Sequence, residues 1–216
     1  MSRSRSTRAA ALALTCALTA ALGLAGPALG QLRPFLAVTP NLFSNDVSII
    51  DTRTHVEVAR VPVGPRPHEV AMAPSGRFAY VGEDGFGPPP IVLNEIDLVT
   101  RTLTRTLTLP NTQAHLTELE VSPTGKWLAA VDIFHARVHL VDASAFTAQP
   151  LIELCLGCPQ QQSAAQVHFS NDGALLYVAV PVTQVLAVID VNANAVLKTI
   201  PLPIGTAPVT DIRIVN

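Results

Sequence analysis

Beyond residue 30, apolar and polar positions alternate in short runs, and no stretch shows sustained helical periodicity. Glu69–Ala73 alternates, Phe78–Val81 follows a Pro-Ser-Gly turn, Val92–Ile96 ends at Asp97, and Thr102–Leu109 alternates again. This unit reads as four short strands. It recurs. An apolar residue plus Asp closes a run at Ile50-Asp51, Ile96-Asp97, Val141-Asp142 and Ile189-Asp190, spaced by 46, 45 and 48 residues. A small turn recurs at Pro74-Ser75-Gly76, Pro123-Thr124-Gly125 and Asn171-Asp172-Gly173, at spacings of 49 and 48. Two independent landmarks at one period identify tandem repeats. Four strands per repeat predicts an all-β fold: a β-propeller with four blades of four antiparallel strands. The Asp after each third strand is expected to accept hydrogen bonds from amides of the turn that follows it.

The first thirty residues follow different rules. Arg3, Arg5 and Arg8 precede an Ala/Leu stretch from Ala9 to Ala25, and small residues stand at Ala28 and Gly30. A basic start, an apolar middle and small residues before Gln31 predict a secretory signal peptide over residues 1–30. The propeller then occupies 31–216, and the protein is expected to be exported, periplasmic or extracellular, with no membrane span after cleavage. The chain carries 14 basic and 16 acidic residues, net charge -2. Removing the three leader arginines leaves eleven basic residues against the same sixteen acids, net about -5. Without a basic surplus, no nucleic-acid partner is expected. Charged residues make up only 14% and hydrophobic ones 49%, enough apolar material for a packed core.

Pro67-His68-Glu69-Val70-Ala71-Met72-Ala73-Pro74-Ser75-Gly76-Arg77-Phe78-Ala79-Tyr80-Val81, together with Val47-Ser48-Ile49-Ile50-Asp51-Thr52, resembles the YVTN family of β-propeller repeats. That family is similar to surface-layer and other exported propeller proteins of bacteria and archaea. The resemblance runs from Pro34 to Asn216, as four repeats. Blade three departs from it, because Ala129-Ala130-Val131-Asp132 stands where the Tyr-Val motif belongs. Export, repeats over the whole mature chain, low charge and no recognisable nucleophile together lead to the expectation of a scaffold that binds a protein or small-molecule ligand in the cell envelope. The resemblance also leaves an enzymatic alternative, since exported propellers of this kind include lactone hydrolases and dehydrogenase subunits.

The strand count bears on assembly. The chain enters at a second strand (Phe35–Val38) and leaves after a first strand (Thr210–Val215). Pairing of those ends closes four blades into a ring; the alternatives are paired half-rings, hence a homodimer, or part of a longer propeller.

Candidate chemistry follows from the same register. Aligned on the small turns, the starts of the innermost strands carry Glu69, Glu118, Gln166 and Asp211, which would ring the channel mouth. His68 and His115 sit in or beside the blade-to-blade connections. Glu83 and Asp84 fall in one loop between second and third strands, Asp132 and His135 in another. Carboxylates and imidazoles converging there suit a divalent cation or the positioning of water; the plainer reading is a solvated mouth with no cofactor. His139 and His168 fall inside strands and His55 opens one at the opposite face; each is expected to be a packed or surface residue rather than a ligand. Cys155-Leu156-Gly157-Cys158 lacks the His of a haem site, because Pro159 follows. In an exported chain a local Cys155–Cys158 disulfide is expected, with free thiols or a redox pair as alternatives. The run Gly82 to Pro90 predicts a long loop with a stiff exit, suited to contacting a partner.

Overall fold

The computed structural model describes residues 35–83, 90–110, 115–132, 134–155 and 166–203. Their strands build four antiparallel sheets in chain order, a β-propeller of four blades. Blade 1 holds β1 (Leu36–Asn41), β2 (Asp46–Asp51) and β3 (Val56–Pro62). Blade 2 holds β4 (Pro67–Met72), β5 (Phe78–Glu83), β6 (Val92–Asp97) and β7 (Thr102–Thr108). Blade 3 holds β8 (Leu116–Val121), β9 (Trp127–Asp132) and β10 (Arg137–Asp142), with its outer strand split into β11 (Thr147–Ala148) and β12 (Ile152–Glu153). Blade 4 holds β13 (Val167–Phe169), β14 (Leu175–Val180), β15 (Val185–Asp190) and β16 (Ala195–Pro201). Pro150 explains the split, because it has no amide to donate to the ladder on β10. The expected closing strand Thr210–Val215, the leader, Asp84, Cys158 and Asp211 lie outside the described residues.

Both repeated turns have a physical cause. Gly76, Gly125 and Gly173 have φ of 68°, 73° and 71°, where a side chain is strained, and their amides donate to Ala73, Ser122 and Ser170 at 2.8 Å. In the turn after each third strand, one carboxylate oxygen accepts two amides. Asp51 takes those of Arg53 and Thr54, Asp97 those of Val99 and Thr100, Asp142 those of Ser144 and Ala145, and Asp190 those of Asn192 and Ala193. The expected structural role of this Asp is therefore what the structure shows. Four residues beyond it the chain turns left-handed every time, at His55, Arg101, Phe146 and Asn194, with φ between 51° and 58°. Outer strands β3, β7 and β16 then bulge at one equivalent residue, Val58, Thr104 and Leu197. A bulged edge is a poor template for another chain's strand.

The core lies between blades rather than inside them. Val47, Ile49, Ala79, Val81 and Ile96 fill the joint of blades 1 and 2. Tyr80, Leu93, Leu116, Leu128 and Phe146 fill that of blades 2 and 3. Val131, Leu140, Phe169, Leu176 and Ile189 fill that of blades 3 and 4. Each fully buried Leu or Ile contributes about 1.5–3 kcal/mol, so these three clusters hold the blades in series. The innermost strands follow suit: β4 lies beside β1 and β8, and β8 beside β13.

Candidate functional site

At one end of blades 2 and 3, the register sets the start of each innermost strand beside the end of the second strand. Pro67 pairs with Glu83, and Leu116 with Asp132. Both inner strands then skip a residue, His68 in β4 and Thr117 in β8. A bulge re-aims its extra residue, and in β4 it frees His68 from the ladder at the mouth. His68 Nδ1 lies 3.1 Å from Glu69 Oε1. Its ring is 5.8 Å from that of His115, which arrives from the next blade connection, tilted by 52°. The His115 ring stacks in turn on Phe134, 5.3 Å away, from the loop between β9 and β10. Two imidazoles, a carboxylate and an aromatic face thus meet from three separate segments.

Asp132 holds this arrangement in place. Fully buried, it accepts the amides of Phe134 at 3.0 Å and His115 at 3.4 Å through Oδ1, while Oδ2 lies 2.8 Å from His135 Nδ1. One carboxylate therefore fixes both segments that carry the stacked rings. Glu69 is less comfortable. Burial pushes its carboxyl up to about 7, against the opposing pull of His115. It gains and loses its proton near neutrality, beside His68.

The inner strands continue the acidic wall. Glu118 stands on β8 at the position equivalent to Glu69, and Gln166 precedes β13 at the next equivalent position. Glu120 bridges two blades: Oε1 lies 2.8 Å from His168 Nδ1, and Oε2 accepts the amide of Phe169 at 3.1 Å. Burial raises its carboxyl too, with His168 opposing.

The structure separates residues that the sequence grouped. His68, Glu69 and His115 come together, whereas Glu83 and Asp132 are the last residues of their strands rather than loop residues. Glu83 is buried against blade 1, accepts Asn94 Nδ2 at 2.7 Å, and would collide with any Cβ at Gly64. His139 is fully buried, whereas His168 is half-exposed and salt-bridged. Cys155 is disulfide-bonded. Among the described residues no three His, Cys, Asp or Glu side chains converge to hold a metal. Sequence reading missed Phe134 and the Glu120–His168 bridge. The signal for the bridge was present, since both occupy one register position, a repeat of 48 apart.

Antiparallel blades packed in series define a β-propeller, with the rings of His68, His115 and Phe134 in contact at one end of blades 2 and 3. No family model matches the sequence, and no curated protein matches it. Among solved structures, hydrazine synthase of Kuenenia stuttgartiensis, a propeller-containing protein, superposes with a TM-score of 0.63 at 17% identity. The alignment covers 76% of this chain and 45% of that one, so this chain spans less than half the length of that relative. At this identity the likeness shows the fold alone. Among the described residues no helix is long and apolar enough to cross a membrane.

Proposed function

We propose that this protein is an exported propeller of the YVTN type, a binding scaffold of the bacterial cell envelope that takes its ligand at the mouth of blades 2 and 3. The observation that supports this reading is the convergence of His68, His115 and Phe134 from separate segments. Neither strand pairing nor the interblade core requires that convergence, and mixed aromatic and titratable groups in contact suit a partner with polar and apolar parts. Residues 1–30 serve export in this proposal, and the mature chain starts at Gln31.

Two measurements test it. Intact mass of protein recovered from the periplasm or medium is expected to correspond to a chain starting at Gln31. A photoreactive phenylalanine analogue at position 134 is expected to capture a partner in cells, while one at Thr102 on the exposed outer strand does not. Equal capture from both positions refutes the mouth as the binding surface. A second reading, a cation-using lactonase-like hydrolase or dehydrogenase subunit, draws on the Glu69 carboxyl poised near neutrality. Purified protein that carries a divalent metal and loses it on Glu69→Ala or Glu118→Ala supports that reading instead.

A further inference from the structure

Each blade has a leading face toward the preceding blade and a trailing face toward the next. On leading faces, equivalent positions of the second strand are Ala79 and Val81 in blade 2, Leu128 and Ala130 in blade 3, and Leu176 and Val178 in blade 4. All six are fully buried. The blade 1 equivalents, Ala37 and Thr39, are exposed. The left-handed residue after each turn gives the same contrast. Arg101 donates to the Val58 carbonyl of blade 1 at 3.2 Å, and Asn194 to the Pro150 carbonyl of blade 3 at 2.7 Å. Phe146 stacks on Tyr80 of blade 2 at 6.1 Å and lies under the Arg105 guanidinium at 4.8 Å. At all three described joints this residue crosses to the preceding blade. Among the described residues His55, its blade 1 equivalent, makes no such crossing; it is exposed, as Arg101 is.

The trailing face of blade 4 supplies the complement. Register places Tyr177 on the Tyr80 position and Lys198 on the Arg105 position, and these blades alone among the four pair a tyrosine with a cation there. In blade 2 the pair serves the next joint: Arg105 donates to the Ala143 and Ser144 carbonyls at 2.9 and 2.7 Å while Tyr80 stacks on Phe146. In blade 4 Lys198 is exposed and Tyr177 half-exposed, although Ala179 and Val188 on the same face are buried. Blade 1 offers the matching groups: His55 at the Phe146 position, the carbonyls of Thr52 and Arg53 at the Ala143 and Ser144 positions, and two carboxylates, Asp46 and Glu57, against Arg60 on its leading face.

We infer that the trailing face of blade 4 docks on the leading face of blade 1 in a second copy of this chain, so that two copies complete one ring through two identical joints. Closure within one chain would bury Ala37 and Thr39, which are exposed. A head-to-tail contact closes when its rotation suits the copy number, and two copies related by a twofold axis along the channel satisfy that condition.

Sedimentation of the full chain is expected to give twice the monomer mass, and Lys198→Glu to raise the dissociation constant by at least about tenfold. Copies starting at Gln31, which lack Cys16, and carrying His55→Cys, mixed with such copies carrying Tyr177→Cys, are expected to join through a short bismaleimide, to which the disulfide-bonded Cys155 is inert. Lys198 and His55 are exposed in the single chain, so these changes leave its core untouched, and cross-linking reads the joint independently of affinity. A monomer at the highest soluble concentration, a filament, or a double variant that links only within itself overturns the inference.

Discussion

Glu69→Gln is expected to stabilise the protein at alkaline pH and leave it unchanged in acid. The carboxyl moves from an ordinary 4.5 to about 7 on folding, because burial penalises its charged form more than His115 favours it. Between those values the folded state holds a proton that the unfolded state has lost, so this group's contribution falls as pH rises from about 4.5 to 7. The full shift corresponds to about 3 kcal/mol at 1.36 kcal/mol per pH unit, and its side chain is 27% exposed, so about 2 kcal/mol is the realistic figure. Glutamine keeps the shape and carries no charge at any pH. Urea unfolding at pH 5 and pH 8 gives the assay, and the quantity of interest is the difference between variant and parent, because His139 titrates in the opposite sense. The difference should be near zero at pH 5 and about 2 kcal/mol in favour of the variant at pH 8. Identical pH slopes for both proteins would refute the argument, because Glu69 would then be solvated and the mouth open to bulk water.

Other substitutions probe the frame around the site. Gly82→Ala places a Cβ 1.8 Å from Leu116 Cδ2, a side chain with no freedom to move because it is fully buried; thermal unfolding should show a loss of about 3 kcal/mol. Arg105→Met strands the buried Glu95 carboxylate and should cost about 3 kcal/mol by urea titration, whereas adding Glu95→Leu recovers most of it. His139, held down to about 4 by burial, loses stability as pH falls from about 6.5 to 4, because only the unfolded state takes up the proton. Its ring nitrogens have no hydrogen-bond partner, so His139→Leu should flatten that acid limb in circular-dichroism melts at pH 5.

Strand content and blade count were legible because each turn fixes its own residues: glycine where φ is positive, and aspartate where two amides must be accepted. Such demands are local, so they recur at a regular period and can be read from one line of text. The mouth was legible only in outline. That His68 and His115 lie at blade entries followed from the alignment, but their approach depends on a one-residue bulge in β4 that no alternation pattern announces. Phe134 was invisible for a related reason. Its position is fixed by Asp132, which reads as a loop acid in sequence and is a buried strand end in the structure. Glu83, grouped with it by sequence, is a buried strand end that accepts Asn94 of its own blade and lies against Gly64 in the connection from blade 1.

The repeats differ where the joints differ, and that is where a propeller can encode its assembly. The glycine and aspartate of each turn are held constant by geometry and carry no information about neighbours. Cross-joint positions are free to vary, and they alternate: Tyr80 and Tyr177 in blades 2 and 4 against Val38 and Ala129 in blades 1 and 3, Arg105 and Lys198 against Ala59 and Pro150. The described joint between blades 2 and 3 shows what such a pair does, since Tyr80 and Arg105 both engage Phe146 across it. Joints of blades 1 to 2 and 3 to 4 use the simpler donation from Arg101 and Asn194. Two joint types in alternation require an even number of blades around any closed ring, because an odd count would force two joints of one kind together. The pairing seen between blades 2 and 3 is therefore the one that the trailing face of blade 4, with Tyr177 and Lys198, is equipped to repeat.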